Sequence, residues 1–158
     1  MESIEATEVI QRPIEEVFEF YRDFTNLPRF LGDVMAVEQI DTATSHWTIQ
    51  GPLGVHVSWT VRVTEERANE LICYETVGPS ALKTRWEVYF SRTANAGETR
   101  VRETMHTPFG GGGRAALALI GKPPSDEVSA NLHRLKELLE TGRVTDTSHA
   151  VDGKFDRR

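Results

Sequence analysis

Val55-His56-Val57-Ser58-Trp59-Thr60-Val61-Arg62-Val63-Thr64 alternates apolar and polar side chains without interruption. A period of two places Val55, Val57, Trp59, Val61 and Val63 on one face of a β-strand and the polar residues on the other. One face is covered and one is wet, the pattern of an antiparallel sheet rather than of a parallel sheet buried on both sides. The alternation continues on both flanks. Strands are expected over 34–40, 46–50, 55–65, 71–77, 84–92 and 98–106, and in the fifth of these Trp86, Val88 and Phe90 face away from Arg85, Glu87 and Tyr89. The breaks carry turn residues, as in Asp41-Thr42-Ala43-Thr44, Gly51-Pro52-Leu53-Gly54, Arg67-Ala68-Asn69, Gly78-Pro79-Ser80 and Ala94-Asn95-Ala96-Gly97. Such short connections predict an antiparallel meander.

Outside this block the period changes. Residues 3–10 are rich in β-branched side chains and read as one more strand, ending at Gln11-Arg12-Pro13. Pro13 suits the first turn of a helix, and Ile14, Val17, Phe18 and Tyr21 then form one apolar stripe that stops near Asp23. Asn26-Leu27-Pro28-Arg29-Phe30-Leu31-Gly32 reads as a compact apolar turn. After the glycines 110–113 an Ala/Leu-rich helical run covers 114–120. Gly121-Lys122-Pro123-Pro124 interrupts it, and Ser125, as an N-cap followed by Asp126 and Glu127, restarts a helix. Val128, Leu132, Leu135 and Leu139 give that helix its apolar stripe, and Gly142 its stop.

The chain has 158 residues, 39% of them hydrophobic, and a net charge of −6. That length is one domain, expected over 1–142, with 143–158 a polar, aperiodic tail, mobile unless it docks on a neighbour. Negative charge disfavours phosphate backbones and anionic lipid surfaces, so no nucleic-acid partner is expected. Cys73 is the one cysteine and reads as a small buried strand residue rather than a reactive thiol. The start, Met1-Glu2-Ser3-Ile4-Glu5, lacks the basic and apolar regions of a signal peptide. The apolar run 115–121 is far shorter than the ~20 residues a membrane-spanning helix needs. A cytoplasmic protein without a transmembrane segment is the expectation.

The order of elements, and several motifs within it, resemble the SRPBCC superfamily of START-like, helix-grip proteins. The likeness is nearest to the bacterial polyketide cyclase/dehydrase-type branch grouped with coenzyme Q-binding START-like proteins. It rests on Pro13-Ile14-Glu15-Glu16-Val17-Phe18, Asp23-Phe24 and Asn26-Leu27-Pro28 at the front. In the middle it rests on Trp47, Gly51-Pro52-Leu53-Gly54, Trp59, Ile72-Cys73-Tyr74, and Phe90 with Thr99-Arg100-Val101. At the end stand Pro108-Phe109-Gly110-Gly111 and the run from Leu132 to Glu140. The resemblance spans about residues 3–142 and implies an α+β helix-grip fold: a curved antiparallel sheet of about seven strands around a long C-terminal helix, with a hydrophobic cavity between. Tyr74 stands where relatives often carry Trp, and His106-Thr107-Pro108-Phe109 where they tend to carry Tyr-x-Pro-Pro.

The resemblance implies binding or transport of a hydrophobic or aromatic small molecule (lipid, quinone or polyketide-like). The alternative is a cyclase, aromatase or dehydratase using the same cavity, so the enzyme question stays open. The expected partner is that ligand, with room for a homodimer. No cofactor is expected, since glycines 110–113 lack the lysine and hydroxyl spacing of a phosphate loop. No metal is expected, since His46, His56, His106, His133 and His149 show no ligand spacing. Trp47, Trp59, Trp86 and Phe90 fall on the covered phase, and the phase of Tyr74 is open between the two faces. The candidate cavity set is Trp47, Trp59, Tyr74, Trp86, Phe90, Val101, Glu103, Met105 and Leu119. Glu103 is the polar anomaly, because it shares a strand face with Val101 and Met105. A carboxylate there must be paired, protonated or at a cavity mouth. Pairing with Arg62, Arg85 or Arg102 is the plainer reading; a ligand-binding or acid/base role makes Glu103 the one catalytic candidate.

Overall fold

A computed structural model describes residues 2–50, 54–78, 83–107, 124–148, 150–151 and 154–155. The N-terminal strand β1 (Glu2–Ile10) leads into helix α1 (Ile14–Arg22) and a 3-10 helix (Phe24–Arg29). Six strands follow: β2 (Val34–Gln39), β3 (Thr44–Gln50), β4 (His56–Arg67), β5 (Leu71–Val77), β6 (Arg85–Arg92) and β7 (Thr99–Thr107). Helix α2 (Pro124–Thr141) closes the domain. The seven strands form one antiparallel sheet in the order β1-β7-β6-β5-β4-β3-β2, a meander whose last strand is joined by the first. This is the α+β, helix-grip architecture, with α2 laid along β1 and across the concave face.

Local chemistry explains the elements. The stripe Ile14, Val17, Phe18 and Tyr21 is fully buried, and Glu15 and Glu16 occupy the first turn of α1, where the helix dipole favours them. Asp23 caps the 3-10 helix, its carboxylate accepting from the Thr25 N–H at 3.1 Å. Bulges interrupt the ladder between Val34 and Ala36 and between Val63 and Glu65. An extra residue at such a point bends the strand and increases its twist, which curves the sheet. Gly142 ends α2 at φ 80°, its N–H returning to the Leu138 carbonyl at 2.8 Å, a turn that an L side chain would strain.

The structure departs from the sequence expectations in three places. Val55 and Val57 share the phase of Trp59 and Val61 yet are 58% and 39% exposed, since among the described residues the cover over that face runs out beyond Trp59. In α2 the buried stripe is Val128, Leu132, Leu135 and Leu138, with Leu139 only half-buried, because the covered face is rotated toward the side of the helix that carries the buried Asn131 and Arg134. The helix starts at Pro124, so Ser125 lies inside it rather than capping it. The tail docks where it is described. The Val151 N–H donates to the Gly32 carbonyl at 2.9 Å, and the Lys154 ammonium reaches the carbonyls of Leu31 and Val34. The glycines 110–113 and the run 114–120, Leu119 among them, lie outside the described residues.

Candidate functional site

Cross-strand register assembles the site. Tyr74 on β5 pairs with Trp86 on β6, which pairs with Met105 on β7; one pair further along, Ile72, Val88, Glu103 and Ala6 form the next row. On the other side Trp47 of β3 faces Trp59 of β4. Directly paired residues share a face, so the phase of Tyr74 is settled: it points inward with the tryptophans. The rings pack in sequence. Tyr74 stacks on Trp86 at 5.0 Å between centroids, Trp47 stacks on Trp86 at 6.0 Å, and Phe24 meets Tyr74 edge-on at 4.9 Å. The Trp47 indole N–H donates to Ser45 Oγ at 2.8 Å, two residues back on the same face, which satisfies it without water.

These rings bound a cavity of about 70 Å³. Trp47, Trp59, Tyr74, Trp86, Glu103 and Met105 line it, together with Asp33, Val34, Ile49 and Thr84 from the sheet side and Val128 and Asn131 from α2. Two expected members do not. Phe90 and Val101 lie further along their strands, and the Phe18 and Tyr21 rings cover Phe90 at 5.2 and 6.0 Å, so both belong to the solid core. Leu119 is outside the described residues.

Glu103 is 3% exposed, and no arginine among the described residues reaches it. Its strand neighbours are Ala6 and Val88, whereas Arg62, Arg85 and Arg102 stand on the opposite, wet face, where Arg102 meets Glu5 at 3.5 Å. The arginine pairing expected from the sequence is therefore replaced by a helix residue 82 positions away: the Tyr21 hydroxyl donates to Glu103 Oε1 at 2.9 Å. Tyr21 Oη is in turn 2.7 Å from Tyr74 Oη. Burial raises the Glu103 carboxyl to about 7, with the Tyr21 hydrogen bond pulling weakly the other way. Burial, and then the nearby Glu103 charge, hold both tyrosines well above the ordinary phenol range.

Neither Tyr21, which reads as a core residue, nor Arg134 stands out in the sequence. Arg134 is 0% exposed on α2 and donates to the Phe30 carbonyl at 2.7 Å, to Asn131 Oδ1 and to the Ser148 carbonyl, with the Phe155 ring 5.1 Å away. Its hydrogen bonds go to carbonyl and amide oxygens, and they tie the tail and the 3-10 helix to the rim of the cavity. The strand histidines His46, His56 and His106 keep to the outer face, where His106 Nε2 meets Glu87 Oε1 at 2.8 Å, and His133 on α2 stands 3.8 Å from Glu8. Among the described residues no group of three or more His, Cys, Asp or Glu side chains is placed to hold a metal ion. Among the described helices none is long and apolar enough to cross a membrane.

A curved sheet gripping one long helix over an aromatic cavity defines the helix-grip class. Residues 1–140 match the model of the family described as polyketide cyclase / dehydrase and lipid transport, and the chain belongs to that family. A Streptomyces lincolnensis relative, an uncharacterized 17.2 kDa protein, is 26% identical over 81 residues, which is 51% of this chain and 53% of the relative. The match thus spans about half the length of that relative. The crystal structure of a Deinococcus radiodurans protein superposes with a TM-score of 0.70 at 24% identity, covering 89% of this chain and 99% of the other. The di-domain ARO/CYC BexL, from the BE-7585A biosynthetic pathway, superposes with a TM-score of 0.69 at 19% identity, over 89% of this chain and 47% of BexL. These likenesses show a shared fold.

Proposed function

We propose that the chain binds a hydrophobic small molecule with an aromatic body, stacking it on Trp47, Trp86 and Tyr74 and meeting its polar end with Glu103. The observation that carries this reading is the union of an aromatic wall with one deeply buried carboxyl inside a single cavity. Mostly apolar lining with a few placed polar groups is what such a site requires. A volume of about 70 Å³ has room for about five water-sized groups, roughly one ring. A larger lipid, quinone or polyketide therefore extends toward the exposed Val57 and Val55. Native mass spectrometry of the protein purified from its own host is expected to show an added mass that organic solvent extracts. An unliganded spectrum, together with no binding of an apolar fluorescent dye, defeats the reading.

A second reading is an enzyme of the cyclase, aromatase or dehydratase type, the activity class that the family description and the ARO/CYC fold neighbour bring to mind. One observation favours it: a carboxyl held at about 7 is matched to proton transfer near neutral pH. With a polyketide substrate, Glu103→Gln then abolishes turnover and keeps binding, whereas the carrier reading predicts no turnover in either protein.

A further inference from the structure

Tyr74, Tyr21 and Glu103 form a chain of two hydrogen bonds, 2.7 and 2.9 Å long. Tyr21, the middle member, lies behind the wall, and the two ends line the cavity. Among the described residues the side chains of Glu103 and Tyr74 have no hydrogen-bond partner besides Tyr21. The protons can be counted. Each phenol carries one and an ionised carboxylate none. With Glu103 ionised, two protons serve two bonds: Tyr74 donates to Tyr21 and Tyr21 donates to Glu103. Both ends then offer the cavity lone pairs only. Protonating Glu103 adds a third proton to the same two bonds. Either Glu103 offers it directly, or it turns toward Tyr21, both phenols rotate, and Tyr74 presents a free O–H. In each case the cavity gains one donor.

We propose that the Tyr74–Tyr21–Glu103 chain is the specificity element of the cavity, matching a phenol or enol while Glu103 is ionised and the corresponding aromatic ketone once it is protonated. The proposal rests on the reading of the cavity as an aromatic-ligand site. Facing Glu103 are Tyr21 from α1, Tyr74 from β5, Ala6 and Val88 from the neighbouring strands and Met105 on its own strand. Across the cavity the other titratable groups among the described residues are Asp33 and Glu127, with Arg134 held behind Asn131; Thr84 and Asn131 do not titrate. A mismatched oxygen leaves a buried polar group unpaired, which weakens binding by about tenfold or more.

Two measurements test this. First, the Glu103 carboxyl is titrated by carbon-13 NMR in the wild type, Tyr21→Phe and Tyr74→Phe, with amide spectra showing that each variant is folded. Tyr21→Phe is expected to raise the Glu103 midpoint by removing the donor to the charged form. Tyr74→Phe is expected to raise it by less, because it acts only through Tyr21; no change in Tyr74→Phe means the chain is not coupled and overturns the proposal. Second, α-tetralone and the tetrahydronaphthol of the same skeleton are titrated calorimetrically on either side of that midpoint. The ratio of their Kd values is expected to shift about tenfold toward the ketone on acidification, and to be independent of pH in Glu103→Gln. A constant ratio in the wild type overturns the proposal, as does a shift that persists in Glu103→Gln, which assigns it to Asp33 or Glu127. If neither compound binds, the aromatic-ligand reading falls and the ligand class with it, while the NMR titration still decides whether the relay exists.

Discussion

Glu103 is an acid whose folded environment favours the proton, and the sign of its effect on stability follows. Its folded midpoint of about 7 lies above the ordinary 4.5. Between these values the folded chain holds a proton that the unfolded chain has lost, so the unfolded state gains on every upward step in pH. Glu103 therefore contributes a destabilisation that grows from pH 4.5 to about 7 and then levels off, at most about 3 kcal/mol. Urea unfolding at a series of pH values should show Glu103→Gln gaining on the wild type across that window and holding its lead above it; parallel curves would mean that Glu103 titrates normally. At Trp47, fully buried against Phe24, Tyr74 and Trp86, truncation to Ala is expected to cost ~3–5 kcal/mol by urea unfolding. Trp59→Ala, at a half-buried ring, is expected to cost clearly less. The anomaly at Glu103 was legible from strand phase alone, since a period of two fixes which face a side chain takes. Its partner was not. A 3.6 period shows that Tyr21 faces the core, and nothing local shows that its hydroxyl ends beside a carboxyl 82 residues away.

The seven strands, α1 and α2 were legible as elements because each is marked by an apolar period or by β-branched content and is set off by turn chemistry or a change of period. What escaped was position along an element. Phe90 and Val101 have the right phase for the cavity, but Phe18 fills the space above that end of the strands. Val55 and Val57 have the phase of Trp59 and lack its cover. Where the tail docks is not legible, because it has no apolar period: it is anchored by backbone carbonyls accepting from a buried arginine, and hydrophobicity cannot reveal such a joint. Removing residues 143–158 takes the Ser148 carbonyl from Arg134 and uncovers the Gly32 carbonyl. The truncation is expected to lose about 2–4 kcal/mol in urea unfolding, at ~1 kcal/mol per hydrogen bond plus an unsatisfied guanidinium N–H. Adding Arg134→Met to the truncated chain should recover part of that loss, because an apolar side chain leaves no buried charge unpaired. Arg134→Met that deepens the loss would show that the arginine stabilises the helix without the tail.

Across the whole molecule the two ends of the grip differ. At one end the Gln11 N–H donates to Glu140 Oε2 at 2.7 Å, Arg12 donates to the Glu140 carbonyl at 2.9 Å, and Lys136 donates to the Val9 carbonyl at 2.6 Å. The end of α2 is thereby clasped to β1 beside the solid core of Phe18, Val88, Phe90 and Val101. The other end holds the cavity and the exposed valines of β4. Local opening follows low packing, so hydrogen exchange is expected to be slowest at Val88 and Val101 and faster at Ile49 and Val57; equal protection would mean that the cavity end is packed as firmly as the core. Trp47, Trp59 and Trp86 are the only tryptophans in the chain, and all three line that one cavity. Emission excited at the red edge of the absorption band, where tryptophan absorbs and tyrosine does not, therefore carries no background from elsewhere in the fold. It originates wholly at the cavity wall, with Trp47 and Trp86 close enough to exchange excitation, so quenching or a spectral shift measures occupancy of the cavity without any added label.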